Sequence, residues 1–464
     1  MRLPQLVARN LKRRPLATAL TTFSVALGVG LFSAIGALRD ASEQAFERTA
    51  GTSNLILGAK GSSLELTLNS LYHMGLSAGN IPYSAYQEFR ETPGVQWCVP
   101  TVVGDAYRGF RIVGTTDAIF EADIPGYGAP QFKDGEAWQH SPAELDAFHA
   151  EVVAHAELDG HEAEGETEEE EHEEQEPDEH GHGHDHHDHT LEQLAQEQGL
   201  FVAVIGSTVA SEARLRVGSS FVPAHDVMTG AMAHEDAPTR VVGVLEPTGT
   251  PMDRAIYIPA GAFYAIAGHQ ATEQSRFGGT RDPHGVSAVL AFVTPKSGYH
   301  LRVRNAWNDR LDVQAAWPVL EVRKLFAVIG NVNAALRIIA MLVIVVALVG
   351  VLVALSNTMA ARQREFAVLR ALGARRRTVL ALVVGESAAI SLFGGILGLG
   401  LAGLGAWIAA ARVRAETGVS VSPLPGADDL LFLLVVTAVG ALAGLVPAWR
   451  AYRTEAARAL SSSL

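Results

Sequence analysis

Four uncharged apolar runs, at residues 16–38, 338–355, 388–411 and 430–446, constrain this chain more than anything else in it. A helix rises about 1.5 Å per residue, so even the 18 residues of the second run reach roughly 27 Å, close to a bilayer core of about 30 Å. The first run is more polar, with Thr18, Thr21, Thr22, Ser24 and Ser33. A cleaved signal peptide competes for that segment, but the run is long for one and no clear A-x-A site precedes Arg39-Asp40. A buried core helix competes for each run singly. Three such runs in the last 130 residues or so weigh against it as a group.

Basic residues orient the spans. Arg2, Arg9, Lys12, Arg13 and Arg14 precede the first run without an acid among them. Arg362, Arg364, Arg370, Arg375, Arg376 and Arg377 lie between the second and third, with Glu365 alone against them, and Arg450, Arg453 and Arg458 follow the fourth. In a four-span arrangement all three clusters fall on one side, which the positive-inside rule assigns to the cytoplasm. Arg412 and Arg414, at the outer end of the third run, dissent mildly. Both termini are therefore expected inside and the long stretch between the first two spans outside, in the inner membrane of a bacterium.

That stretch reads as folded. Residues 201–205 form an apolar run closed by Gly206, suited to a buried strand, and 207–215 follow as a short helix. A turn at 217–221 leads towards strands at 240–245, 255–258 and 286–293. Mixed α/β architecture follows. Residues 320–333 lead helically into the second span, so movement of the outer domain could pass directly into the membrane. Cys98 is the only cysteine, which excludes an internal disulfide and leaves stability to an ordinary core. Residues 54–62 and 69–74, just beyond the first span, could line a lateral opening, although an ordinary strand and helix suit them better.

An insert interrupts the domain at 136–200. Its heart, 155–189, holds nine histidines and sixteen carboxylates with no Lys or Arg. The formal charge of the whole chain is −14, so this insert accounts for the acidic balance and the remainder carries a slight positive charge. Such a like-charged, low-complexity run repels itself and should be solvated. His180, His182, His184, His186, His187 and His189 are dense in imidazole, a favourable ligand for Zn²⁺ and, less selectively, Cu²⁺ or Ni²⁺. Zn²⁺ is the cofactor such a loop could hold, as a sponge, sensor or acquisition loop and not at a rigid catalytic site, against the alternative of a solvated loop whose metal affinity is incidental. His225 and His234 could add ligands, although each alone reads as a surface histidine. No H-E-x-x-H or other rigid ligand spacing appears, and no catalytic residue is assigned.

Between the second and third spans, Phe366, Leu369 and Leu372 recur every three residues and Gly373 offers a natural stop. A short apolar-faced helix displayed there suits docking into a groove on a soluble partner, or lying on lipid. Gly394, Gly395 and Gly398 in the third run permit close helix approach, within the bundle or across a dimer. Glu386 precedes a run already long enough to span, which places it near the cytoplasmic interface.

The string Arg364-Glu365-Phe366-Ala367-Val368-Leu369-Arg370-Ala371-Leu372-Gly373-Ala374 resembles the FtsX/MacB superfamily of ABC-transporter permeases. So do Gly385-Glu386-Ser387, the glycine-rich third span, and the closing Val446-Pro447-Ala448-Trp449-Arg450. In the outer region, 204–210 and 241–250 are similar to the periplasmic core of that family. The histidine-rich insert is outside the general pattern. The resemblance implies an α-helical membrane protein with four transmembrane helices and a large mixed α/β extracytoplasmic domain between helices 1 and 2. Its parts are a cytoplasmic 1–15, helix 16–38, a periplasmic domain at 39–333, helix 334–357, a coupling segment at 358–378, helix 379–411, an outer loop at 412–429, helix 430–449 and a cytoplasmic 450–464.

The resemblance also implies a homodimer working with two copies of a cytoplasmic ATPase. That partner would bind the ATP, since no G-x-x-x-x-G-K-[ST] loop occurs in this sequence. Arg364, Glu365, Phe366, Leu369, Arg370, Leu372 and Gly373 are the residues that would couple to it. Mechanotransmission for export or extraction of a lipoprotein, peptide or amphiphile is the implied task, with membrane lipid and a periplasmic partner as further contacts and no nucleic acid. A metal-sensing scaffold that activates an outer partner without moving solute is the alternative.

Overall fold

The computed structural model describes residues 3–77, 79–126, 128–151, 186–225, 234, 237–266, 285–361, 376–417, 425–447 and 449. The chain divides into two compact units, one of Met1–Gln44, Phe326–Arg414 and Ser420–Leu464, the other of Ala45–Leu325 with Ala415–Val419. The first is a helical bundle and the second an α/β domain.

Helix α1 (Leu3–Lys12) opens the bundle and was not foreseen as an element. Leu6, Val7 and Leu11 share one face of it, and Val7 packs with Met359, Val379 and Val383. Among the described residues, four helices are long and apolar enough to cross a membrane: α2 (Pro15–Ala50), α11 (Pro318–Ala361), α12 (Arg376–Thr417) and α13 (Ala427–Ala443). Their inward faces meet in a core that includes Val25 and Val29 of α2, Ile344, Leu348 and Val351 of α11, Ile390 of α12 and Val436 of α13. Leu16, Leu20, Phe23 and Leu27 of α2 and Leu342, Val345, Val346 and Val349 of α11 stay exposed, as a lipid-facing surface requires. The segment expected as a helical lead at 320–333 is part of α11.

The α/β domain is built on one mixed sheet. Its strands are β1 (Leu55–Ala59), β2 (Val95–Tyr107), β3 (Phe110–Thr115), β4 (Phe132–Gly135), β5 (Val202–Ile205), β6 (Ser220–Phe221), β7 (Ala224–His225), β8 (Thr239–Leu245), β9 (Ala255–Pro259), β10 (Ala288–Val293) and β11 (Val313–Ala316). The main order is β11-β1-β10-β2-β3-β9-β5-β8-β4, with β6 on β8 and β7 on β2. β3 with β9 and β5 with β8 run parallel; the other pairs among these strands are antiparallel. Both faces are covered. Ile112, Ile256 and Ile258 enter the larger core with Phe89, Phe148 and Trp307, while Val113, Ala255 and Tyr257 enter a second core with Phe120 and Trp138. Continuous apolar runs such as 255–258 are what a sheet buried on both sides demands.

Helices α3 (Ser63–Tyr72), α4 (Tyr83–Arg90), α5 (Ala118–Glu121), α6 (142–151), α7 (His186–Glu197), α8 (Ser207–Glu212), α9 (Ala260–Ala265) and α10 (Tyr299–Asn308) complete the domain. Two of them lie within the expected insert of 136–200. Leu145 and Phe148 of α6 and Leu191 and Ala195 of α7 are buried in the larger core. Asp146 of α6 bridges to Arg90 and accepts from Tyr83 Oη at 2.8 Å. Both ends of that stretch thus pack in the domain core, their apolar residues recurring at helical spacing beside the charge run.

Candidate functional site

Two sites follow from this framework, one in each unit. In the α/β domain a cavity of about 220 Å³ is walled by Trp97, Val99, Val113, Ile119, Tyr257 and Leu290, with Ser53, Ser70, His73 and Thr101 also on it. Three of the hydroxyls are turned away to the backbone. Ser53 Oγ donates to Ala291 O at 2.8 Å, Ser70 Oγ to Leu66 O at 2.8 Å and Thr101 Oγ1 to Ala288 O at 3.0 Å. Their donors thus occupied, these walls offer a guest mainly apolar contact. His73 caps α3 in the left-handed region (φ 55°) with its backbone N–H on Leu68 O. Burial, helped by the Arg111 guanidinium, lowers its pKa to about 4. Its imidazole is neutral at pH 7, when it can donate at one nitrogen and accept at the other. Burial likewise raises the Tyr257 phenol, which stays protonated near neutrality. The walls named favour an apolar body.

The bundle holds a buried carboxylate. Glu386 on α12 is 3 % exposed, and its Oε1 accepts from Nδ2 of Asn10 on α1 at 2.5 Å. Arg13, Arg14, Thr18 and Thr21 line the same cleft of about 110 Å³. The sequence reading sets this carboxylate near the cytoplasmic interface; in the fold it lies packed against α1. On another seam, Ser33 Oγ of α2 donates to Asp429 Oδ1 in α13's first turn at 2.6 Å. Neither pairing is legible in the sequence, since its partners lie hundreds of residues apart.

Glycines set the helix spacing. A Cβ on Gly394 would meet Thr22 O and Val25 of α2, and one on Gly398 would meet Ala26 O at 2.6 Å. A Cβ on Gly395 would strike Leu433 of α13 instead. Three glycines singled out together thus serve two different neighbours within the bundle. Gly440 and Gly444 of the fourth run went unremarked, yet they stand over Ser391 and Ser387 of α12. Their four-residue spacing, matched by the two serines, is the small-xxx-small signal that would have found them.

Arg364, Glu365, Phe366, Leu369, Arg370, Leu372 and Gly373 lie outside the described residues, as do His180, His182 and His184. The backbones of His186, His187 and His189 begin α7; their side chains lie outside the description. Among the described residues, no group of three or more His, Cys, Asp or Glu side chains is gathered for a metal.

Residues 337–456 match the family model described as FtsX-like permease C-terminal. The chain carries an FtsX-like permease domain. That domain embraces the spanning parts of α11, α12 and α13, with Glu386 and all the glycines of the α12 seams. FtsX-like permeases are membrane subunits of ABC transporters, and the four spanning helices with the α/β domain between the first two accord with that role. Two solved structures are similar to part of this chain. The periplasmic region of MacB from Actinobacillus actinomycetemcomitans is 11 % identical, with 59 % of this chain and 93 % of that one covered at a TM-score of 0.30. The extracellular domain of the noncanonic ABC-type transporter YknZ from Gram-positive bacteria is 14 % identical, with 56 % and 99 % covered at a TM-score of 0.28. Both scores are low, and the fold of the domain rests on its own strand pairing. No curated protein matches the chain.

Proposed function

We propose that this chain passes the work of a separate cytoplasmic ATPase to its α/β domain, and so drives export or extraction of a lipoprotein, peptide or amphiphile. The FtsX-like permease match over 337–456 carries this reading. The unbroken α2 and α11, each longer than a bilayer needs, support mechanotransmission, and the apolar cavity supports an amphiphilic cargo. In this scheme two copies of the chain work with two ATPase subunits in a bacterial inner membrane. The basic clusters, by the positive-inside rule, support cytoplasmic termini and a periplasmic α/β domain. The segment 364–373 docks on the ATPase, and the histidine-rich insert binds Zn²⁺ and links metal to the cargo or its timing.

Leu369→Asp and Leu372→Asp should each abolish co-purification of the ATPase while membrane insertion persists. Undiminished co-purification would remove 364–373 from the coupling role. The insert favours a second reading, a metal-sensing scaffold that activates an outer partner. Stimulation of the complex's ATPase by an amphiphile in the absence of metal supports transport; stimulation by Zn²⁺ alone supports the scaffold.

A further inference from the structure

The apolar cavity of the α/β domain has hydrogen-bonding capacity to spare. Ser53, Ser70 and Thr101 give their donors to the backbone, but three rings on the same lining do not. Tyr257 is 2 % exposed, and its phenol makes no hydrogen bond among the described residues. Trp97 Nε1 and His73 Nδ1 are buried without a partner as well. A native fold leaves few such groups, and each calls for a reason. Their gathering around one cavity suggests a shared one, an acceptor that arrives with a guest.

Charge narrows the choice of guest. Glu246 is the only Asp, Glu, Lys or Arg on the lining, so no cation there meets an anionic head. Asp253, close enough to help raise the Tyr257 phenol, works against one too. Arg111, which acts on His73, lies off the lining and donates to Gly75 O at 2.7 Å. A protonated phenol and an indole N–H both donate, which suits a carbonyl oxygen without charge. Size narrows the choice further. An apolar cavity of about 150 Å³ holds one benzene ring, so about 220 Å³ takes roughly eight to ten carbon atoms. A hydrocarbon body of that size beside an uncharged carbonyl describes the carbonyl end of an acyl ester or amide.

We propose that this cavity is an acyl-binding site, which takes the carbonyl end of an uncharged acyl ester or amide with the Tyr257 phenol and the Trp97 indole N–H donating to its carbonyl oxygen. The proposal rests on the transport reading only in supposing that the guest is cargo. The full chain in lipid nanodiscs, irradiated with the methyl ester of a diazirine-bearing decanoic acid, tests it. Probe dissolved in the bilayer labels the spanning helices and serves as the control. Label should also appear on the peptides that carry Trp97, Val99, Tyr257 and Leu290. Val113→Phe and Leu290→Trp, which fill the space, should remove most of that cavity label and leave the helix label unchanged. Tyr257→Phe and Trp97→Phe should each weaken capture of the ester about three- to tenfold, the worth of a neutral hydrogen bond, and leave capture of an alkane diazirine unchanged. Helix label without cavity label in the unaltered chain would overturn the site, as would cavity label that both filled variants keep. Effects of the two Phe variants that are equal for ester and alkane would overturn the carbonyl contact. Should the filled variants fail to fold, competition by methyl decanoate in the unaltered chain decides: loss of the cavity label alone supports the site, and its persistence overturns it. Stimulation of the complex's ATPase by methyl decanoate separates this inference from the transport reading. Stimulation that persists in the filled variants overturns the cavity as the cargo site and leaves transport standing, whereas cavity label without any stimulation supports the site and counts against transport.

Discussion

His73 shows how one side chain can make the domain sensitive to acid. Its pKa is lowered from 6.5 to about 4 by burial and then by Arg111, so the fold favours the neutral form. The stability this provides is present above the unfolded value of about 6.5 and is lost as pH falls towards 4, where the folded group also protonates. Chemical denaturation of the full chain across that window should show a loss of up to about 3 kcal/mol, and His73→Gln should flatten it. An equally steep loss in the variant would assign the acid sensitivity to other groups. At this scale the sequence revealed residue types but few partners. Gly394 and Gly398 announced close packing by their spacing alone. Asn10 gave no hint of Glu386, because a single amide on a basic amphipathic helix looks like any polar residue until the helix is docked.

Among the elements, β11 depends most on a single side chain. It is a four-residue edge strand, and its sequence Val313-Gln314-Ala315-Ala316 has little β-propensity. Asn308, the last residue of α10, supplies what a further strand would. Its Nδ2 donates to Ala315 O at 2.9 Å and its Oδ1 accepts from Ala315 N at 2.8 Å. Asn54 makes the same pair with Val293 at the end of β10, at 2.6 and 2.8 Å. Asn308→Ala should destabilise the domain by about 1–3 kcal/mol, and amide exchange should quicken at Ala315 ahead of the central strands. Protection at Ala315 equal to that of the unaltered chain would show that the clip is dispensable. The weakness of such elements also explains what was legible. β5, β8, β9 and β10 are apolar runs between turn residues and were readable as strands, whereas β11 owes its existence to an asparagine outside it. β2 escaped notice because Pro100 and Gly104 interrupt it, and the edge-strand rules that usually exclude proline do not hold in its long, irregular pairing.

Across the whole molecule, four spans with a large domain after the first were plain from hydropathy, since a bilayer sets helix length more strictly than any core does. The limits of the insert were not, because charge obscured the amphipathic helices on either side of it. Anchoring of α6 and α7 in the core predicts that a Gly-Ser linker replacing 155–185 leaves thermal unfolding of the domain within about 0.5 kcal/mol of the parent, whereas removal of 142–197 should unfold it. A large loss on replacing 155–185 would make that segment part of the structure.

The chain enters the sheet at β1, four residues after α2, and leaves it at β11, one residue before α11. These strands are antiparallel neighbours, with Ile56 opposite Ala316 at the end where both helices attach and Ala59 opposite Val313 at the other. Arg323 and Glu47 add a tie at 2.9 Å between the helix ends, of the exposed kind that contributes little. A force that parts α2 from α11 would load the Ile56–Ala316 rung alone and then each rung in turn, peeling the edge strand like a zip. A force that carries both helices the same way loads no rung more than another. The domain should follow concerted pulls faithfully and yield to divergent ones, so its useful stiffness has a direction.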